Sequence, residues 1–498
     1  MAVHLHDLAA AVQLGSPEAN PEVHGIAHDS RQVRPGDIYA AIVGERFDGR
    51  DYVAQVAQKG AAAVIGRGPV PENAPLPWVE VDDPRPLLGA LASRIYGMPQ
   101  ERLTVVGITG TNGKTSIVHL AASMLEAAGK PCGRGGTLGY FLGDQAYSVS
   151  GRTTPEAPEL FRTLKEMADA GAEAVALEVS SHGLALGRVS TLNFDVAAFT
   201  NLTRDHLDFH GTMEEYFEAK RLLFDQLKPN GRAVVALDDD YGRRLAADLR
   251  EKLGDRLLTC GEEETADVSI AEAGLDFQGL RLKLQTPRGL LEVRSRLIGR
   301  YNVWNTLITA AIGEALGLPH DVIARGIEET ETVDGRLDAV QQGQKFPVYI
   351  DYAHTPGALE ATLRSLRELS ERKLAVVFGC GGNRDQGKRP EMGRIVGELA
   401  ELPLATSDNP RDEDPQQILD EVAAGLADSG QNGYRLILDR RDAIREAVRV
   451  ATAAPDDWIV VVAGKGHEEM QIIGNEELPF SDRDELKAAL AEEGYRHG

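Results

Sequence analysis

The sequence predicts an α/β protein of three units, a small N-terminal α/β module, a central phosphate-loop unit and a third unit built on a parallel sheet with helical crossovers. Three observations carry this. A short apolar run at Val105–Ile108 breaks at a Gly-rich turn and resumes with helical spacing from Ile117 to Ala128. Beyond residue 333, short apolar runs alternate with amphipathic stretches, the rhythm of a parallel sheet with helical crossovers. A chain of 498 residues is also long enough for roughly three domains at about 150 residues each. The units are expected at 1–84, 85–332 and 333–498, with Asp82-Asp83-Pro84-Arg85-Pro86 as the first linker.

The net charge of -24 argues against a nucleic-acid binder, which carries a basic face. An anionic nucleotide therefore needs local positive sites. Cys132, Cys260 and Cys380 lie far apart, which suits a reducing cytosol and shows no zinc spacing. Met1 to Leu14 has no Lys or Arg before its apolar residues, so no secretory signal is expected. No apolar run approaches the ~20 residues of a membrane helix. These features predict a cytoplasmic protein.

In the first unit, Pro35-Gly36 marks a turn with a strand after it. Tyr52–Lys59 reads as a helix and Ala61–Ile65 as a strand. Ser30 and Arg31 either hold an anionic ligand or form a capped turn with a surface arginine.

The second unit opens on the phosphate loop, Gly110-Thr111-Asn112-Gly113-Lys114-Thr115-Ser116. Glycines let backbone N–H groups approach phosphates, and the helix N-terminus adds positive potential. Lys114 is placed for the β/γ-phosphates and Thr115 for Mg²⁺. The strict pattern is not met, since Ile108 stands where its first Gly belongs. A polar loop, Gly151–Pro155, precedes a helix at Glu159–Ala170. The apolar strand Ala174–Val179 carries Glu178, followed by Ser180-Ser181-His182. A carboxylate at the C-terminal end of a parallel strand sits where such sheets bind ligands, so Glu178 is a candidate Mg²⁺ ligand. After a strand at Phe194–Phe199, the polar loop Thr200–Gly211 holds Asp205, His206, Asp208 and His210; spacing alone does not say which of them binds metal or phosphate.

Lys220 is the most informative residue of this unit. On a helix from Met213 to Leu227 it falls in the middle of the apolar face. Buried lysines are rare unless paired. Either its stem is packed and its head wet, or it is a desolvated amine of lowered pKa. Such an amine reacts with CO₂ to give a carbamate, an anionic Mg²⁺ ligand. A strand at Val234–Leu237 follows, and Gly299–Asn305 then opens an Ala-rich helix to Leu316. Its Asn302 and Asn305 face a base or ribose, or cap the helix.

In the third unit, strands are expected at Val348–Ile350, Leu374–Phe378, Leu402–Ala405, Arg435–Leu438 and Trp458–Val462. Their loops carry Asp351-Tyr352-Ala353-His354, Asp408-Asn409-Pro410-Arg411 and Gly464-Lys465-Gly466-His467-Glu468.

Thr109–Thr115, Glu178–His182, Asn201-Leu202-x-x-Asp205-His206-Leu207-Asp208, Lys220, Gly335-Arg336 and the loops at 351–354 and 464–468 jointly resemble the Mur ligase family. The resemblance spans all three units. It implies a UDP-binding N-terminal module, a central P-loop-type ATPase domain and a Rossmann-like C-terminal domain. It implies an ATP-dependent ligase, acting as a monomer, that adds meso-diaminopimelate to the D-glutamate of UDP-N-acetylmuramoyl-L-alanyl-D-glutamate through an acyl phosphate, in peptidoglycan precursor synthesis. The diaminopimelate preference rests on Asp408-Asn409-Pro410-Arg411.

The roles implied are these. Ser30, Thr153, Thr154, Ser180 and Arg188 hold the UDP-muramoyl-dipeptide. Gly110 to Ser116, Asn302, Arg336 and Asp351 hold ATP. Thr115, Glu178, His206 and a carbamylated Lys220 hold two Mg²⁺ ions. Arg389, Asp408, Asn409, Pro410, Arg411, Gly464 and Glu468 take the incoming amino acid. The chain departs from the family pattern at Leu186, Ala236 and Asp334. Two relatives in chemistry, a lysine-adding ligase and a folylpolyglutamate synthase, are disfavoured by the 408–411 loop and the separate N-terminal module. A nucleotide-switched binding protein is disfavoured by Lys220, Glu178 and His206 together.

Overall fold

A computed structural model describes residues 3–15, 17, 19–44, 47–148 and 152–496, so Met1, Ala2 and Gly151 lie outside the described residues. Three sheets organise the chain. The first has four parallel strands in sequence order, Gly25–Ala27, Asp37–Ala41, Ala63–Arg67 and Trp78–Val81. Alternate residues of its second strand enter different cores. Ile38 and Ala40 pack with Leu88 and Leu91, while Tyr39 and Ala41 pack with Val53 and Val56. A strand buried on both faces reads as the continuous apolar run seen here.

The second sheet has eleven strands. Its strand Thr104–Thr109 lies between Ala174–Glu178 and Phe194–Phe199, parallel to both. The register sets Glu178 beside Ile108 and Phe199 beside Thr109. The chain therefore leaves three neighbouring strands at one level, at Gly110, Val179 and Thr200. This is the edge at which open α/β sheets bind ligands. Val106 and Ile108 face the helices Lys114–Ala127 and Tyr301–Ala315, and Val105 faces Leu160 and Phe161 of the helix Ala157–Asp169.

The third sheet runs in the order Asp338–Ala339, Val348–Asp351, Trp458–Ala463, Lys373–Phe378, Leu402–Ala405 and Arg435–Leu436. All its pairings are parallel except that of the first strand. The strand at 458–463 is inserted between 348–351 and 373–378. That places the loops after Asp351, Ala463, Phe378 and Ala405 side by side. Among the described residues no helix is long and apolar enough to cross a membrane.

Three expectations change. The helix bearing Lys220 spans Met213–Arg221 and continues as a 3-10 turn, Leu222–Gln226. Its start is fixed by a capping box between Thr212 and Glu215, and its end by the strand that must begin at Leu227. That strand runs from Leu227 to Ala236 rather than from Val234, because a register irregularity between Phe194 and Val196 absorbs Pro229-Asn230-Gly231. The polar segment 200–211 contains one helical turn, Leu207–His210.

Under the third sheet, Arg440 and Asp482 form a fully buried pair, with Nε and Nη2 donating to the two carboxylate oxygens at 2.7 Å each. Nη2 also donates to Ala463 O at 3.0 Å, tying the central strand to the pair. Removing one member leaves a buried charge without its partner. Asp482→Ala is expected to cost about 3–5 kcal/mol of stability. Urea denaturation of the full chain checks this; a change within error would contradict the burial of the pair.

Candidate functional site

The site starts at Gly110. Its φ of 147° lies where only glycine is relaxed, and a Cβ there would sit 1.9 Å from Thr200 Oγ1. Close approach lets the two loops lock together. Thr111 N donates to Asn201 O and Asn112 N to Asn201 Oδ1, both at 2.9 Å, and Thr200 Oγ1 donates to Asn112 O at 2.6 Å. Gly113 (φ 88°) caps the helix Lys114–Ala127.

Two lysines converge on one oxygen. Lys114 Nζ donates to Gly110 O at 2.9 Å and to Thr111 O at 2.8 Å. Lys220 Nζ donates to the same Gly110 O at 2.7 Å and lies 4.5 Å from the centroid of the Tyr216 ring. Lys220 is only 1% exposed. Burial, together with the Lys114 charge, pushes its amine well below the ordinary range. Burial also lowers Lys114.

Glu178 is buried, and both its oxygens accept from Thr137, from N at 2.9 Å and from Oγ1 at 3.2 Å. A Cβ on Gly136 would stand 2.2 Å from Glu178 Oε1, so glycine makes room for this carboxylate. His206 has left-handed backbone (φ 53°), and its ring meets His182 edge-on at 4.8 Å. Arg336, from the loop before the third sheet, crosses to donate to Thr115 Oγ1 at 3.0 Å and packs over the Tyr352 ring. Thr111 to Ser116, Thr153, Glu178, Ser180, His206, Arg336 and Asp351 all line one cleft of about 440 Å³.

Some expected residues have other partners. Asn302 is buried, donating to Ile298 O and accepting from Asn305, so Asn305 lines the cleft in its place. Asp351 is occupied by Leu337 N, Ala353 N and Thr362 Oγ1, and burial raises its pKa. Thr154 Oγ1 donates to Glu178 O and accepts from Ser180 N. Ser180 Oγ caps the turn that follows it. Arg188 donates to Thr154 O and pairs with Glu156 at 2.8 Å, while its buried Nε has no partner. Ser30 offers its carbonyl to Lys59, and Arg31 is exposed and paired with Asp29. His28 lies within reach of the same group: burial holds its imidazole low, and the charges of Glu156, Arg152 and Arg188 act on it.

A second constellation lies on the third sheet. Arg389 is fully buried between Glu413 and Glu421, both at 2.8 Å, so its pairs anchor the loop that follows Arg411. Arg411 has left-handed backbone (φ 52°), and its Nη1 donates to Gly382 O at 2.9 Å. Asp408 Oδ1 accepts from Asn409 N at 2.7 Å. Gly464 (φ 116°) lies against the other oxygen, with a Cβ there 2.7 Å from Asp408 Oδ2. Glu468 Oε2 accepts from Asn409 Nδ2 at 2.8 Å and from Lys465 Nζ at 3.0 Å. Pro410 carries the loop over Gly382, where a Cβ would meet Pro410 O at 1.9 Å.

Fold and site together define a phosphate-loop protein in which residues of the third sheet line the far wall of the cleft and a second polar constellation stands at the edge of that sheet. Comparison with known proteins makes this particular. Family models describing the Mur ligase family catalytic domain, the Mur ligase middle domain and the Mur ligase glutamate ligase domain match residues 22–96, 108–313 and 335–466. The UDP-N-acetylmuramoyl-L-alanyl-D-glutamate--2,6-diaminopimelate ligase of Geobacter metallireducens is 42% identical, covering 95% of this chain and 94% of its own. That of Geobacillus thermodenitrificans is 41% identical over 95% and 96%. A solved structure of a protein of the same name superposes with a TM-score of 0.69 at 31% identity, covering 99% of both chains. The chain belongs to the Mur ligase family.

Several histidines around the cleft fold in the neutral form. Burial holds His206, His210 and His467 down at about 4, and His119, on the phosphate-loop helix, at about 3, against an ordinary 6.5. Below pH 6.5 the unfolded chain binds protons that the folded chain refuses. Stability is therefore fully present above pH 6.5 and lost as the pH falls toward 4. Melting temperatures measured from pH 7.5 to 4.5 are expected to drop progressively below 6.5; a flat profile would contradict the burial of these rings.

Proposed function

We propose that the chain is an ATP-dependent ligase joining meso-diaminopimelate to the D-glutamate side chain of UDP-N-acetylmuramoyl-L-alanyl-D-glutamate, in cytoplasmic peptidoglycan precursor synthesis. The observation that carries the reading is the set of free polar atoms around Arg411. Its Nε and Nη2 have no protein partner among the described residues, nor have Asp408 Oδ2 and Glu468 Oε1. Free guanidinium donors beside two free carboxylate oxygens suit an amino acid with a distal carboxylate and an ammonium. The named relatives support the same substrate.

In this reading residues 1–84 hold the UDP-sugar through Ser30, residues 85–332 hold ATP, and residues 333–498 hold the amino acid. Thr153, Thr154, Ser180 and Arg188 face the muramoyl-dipeptide. The glutamate carboxylate attacks the γ-phosphorus, an O–P bond forms, and the bond to the β-phosphate oxygen breaks, releasing ADP. The diaminopimelate amine then attacks the acyl phosphate, losing a proton as inorganic phosphate leaves. Phosphoryl transfer of this kind rests on positioning and charge neutralisation. Lys114 and the backbone N–H groups of 110–116 supply both.

The residues present suit magnesium, which is held by one or two carboxylates together with substrate phosphates and water: the Glu178 carboxylate and the Thr115 hydroxyl line one cleft. Thr115, Glu178, His206 and a carbamate on Lys220 would hold two such ions, which when bound lower the repulsion between the carboxylate and the γ-phosphate. The carbamate reading is supported by the buried, charge-disfavoured amine of Lys220.

Specificity follows from Arg411. A guanidinium takes a carboxylate through two parallel bonds. Lysine lacks that group and leaves the donors unmatched, a loss worth up to about 10⁴-fold. The deciding experiment measures phosphate release with ATP, Mg²⁺ and the UDP-dipeptide, with diaminopimelate, lysine or no amino acid. Release only with diaminopimelate is expected; release indifferent to the amino acid would remove the ligase reading. Arg411→Ala should raise the KM for diaminopimelate strongly and leave that for ATP unchanged, and equal changes in both would discard its role. Lys220→Ala should abolish turnover while the chain still melts cooperatively, whereas a fully active variant would leave Lys220 a structural partner of Gly110 O alone.

A further inference from the structure

Resting on the amino-acid site just described, we propose that Lys465 is a positioning residue that sets the selectivity of that site for a net-neutral diamino dicarboxylic acid. Lys465 is fully buried. Its ammonium donates to Asn409 Oδ1 at 3.1 Å, to Glu468 Oε2 at 3.0 Å and to Met470 O at 2.6 Å. These three acceptors come from three separate pieces of chain: the 408–411 loop, the turn at 464–468 and the hairpin at 470–479. An ammonium has three donors, and all three are used.

Two consequences follow. Asn409 Oδ1 is held by Lys465 and by Ile472 N at 3.0 Å, so its Nδ2 must face Glu468. Both protein bonds to Glu468 then fall on Oε2, and Oε1 is left toward the amino acid. Lys465 thus decides which oxygen of Glu468 the substrate meets. The second consequence is one of charge. Asp408 and Glu468 contribute two negative charges, and Arg411 and Lys465 two positive ones. Arg384, whose charge also reaches Arg411, adds a third positive charge. Diaminopimelate, with two ammonium and two carboxylate groups, is neutral, whereas lysine, with one carboxylate, carries a net positive charge. Removing the Lys465 charge therefore weakens the repulsion that lysine meets.

The test compares kcat and KM for diaminopimelate, lysine and ATP in Lys465→Met and Lys465→Arg. Lys465→Met should raise the KM for diaminopimelate and lower the diaminopimelate-to-lysine ratio of kcat/KM by about tenfold or more, since a charge a few ångströms from the ligand is being removed inside the protein. The KM for ATP should stay within about twofold. Lys465→Arg, which keeps the charge, should recover most of the ratio. Lys465→Gln, which keeps a donor without the charge, serves if Lys465→Met does not fold. A ratio unchanged in the neutral variants, or equal losses for both amino acids, would overturn the proposal. A wild-type enzyme that itself prefers lysine would instead remove the reading of the 408–411 loop.

Discussion

The carbonyl oxygen of Gly110 accepts hydrogen bonds from two lysines, and the site is built outward from it. Two amines share one acceptor, Lys220 buried and Lys114 half-buried, and each disfavours charge on the other in a medium that screens poorly. The arrangement holds because the phosphate loop cannot relax away. Gly110 is pinned against Thr200, and its neighbours are bonded to Asn201. The pinning in turn depends on register, since Thr109 and Phe199 lie side by side in the sheet. Strand pairing, backbone conformation and the electrostatics of the amines form one chain of cause.

The third sheet contributes to the same cleft from the other side. Arg336 reaches a phosphate-loop residue 221 positions earlier in sequence. Its guanidinium is set over Tyr352, which follows the strand carrying Asp351. Asp351 spends its carboxylate on the backbone of Leu337 and Ala353. It shapes the turn that aims Arg336, and its effect at the cleft is exerted through that turn. The constellation around Arg411 is built the same way, with pairs such as Arg389–Glu413 holding the backbone from which Arg411 projects.

Much of this was legible from the sequence. The phosphate loop, Glu178 and the misplaced Lys220 stand out because each violates an ordinary expectation: glycines beside a lysine, a carboxylate ending an apolar strand, a charge on an apolar face. Five strands of the third sheet were legible from the alternation of short apolar runs with helical stretches, whereas Asp338–Ala339, two residues long, was not. The limits are physical. Which of Asn302 and Asn305 lines the cleft depends on one turn of helix and on a bond between them, below the resolution of a spacing argument. The strand starting at Leu227 was hidden by Pro229-Asn230-Gly231, turn residues absorbed by irregular pairing. Lys465 was visible only as one member of a glycine-rich motif, because nothing local shows that its partners lie 56 and 5 residues away in sequence.

The order of strands in the third sheet bears on how the enzyme is made. The strand at 458–463 lies between two strands that precede it by about a hundred residues, and it supplies the backbone hydrogen bonds on both sides. Until it is synthesised, the two halves of that sheet have exposed edges and no common partner. Domains generally fold as units and in the order of synthesis. On the ribosome the phosphate loop and its sheet are thus free to assemble while the third sheet is still unformed. Arg336 and Asp351, which line the other wall of the cleft, come later in the chain, so the cleft gains both its walls only when this strand is inserted.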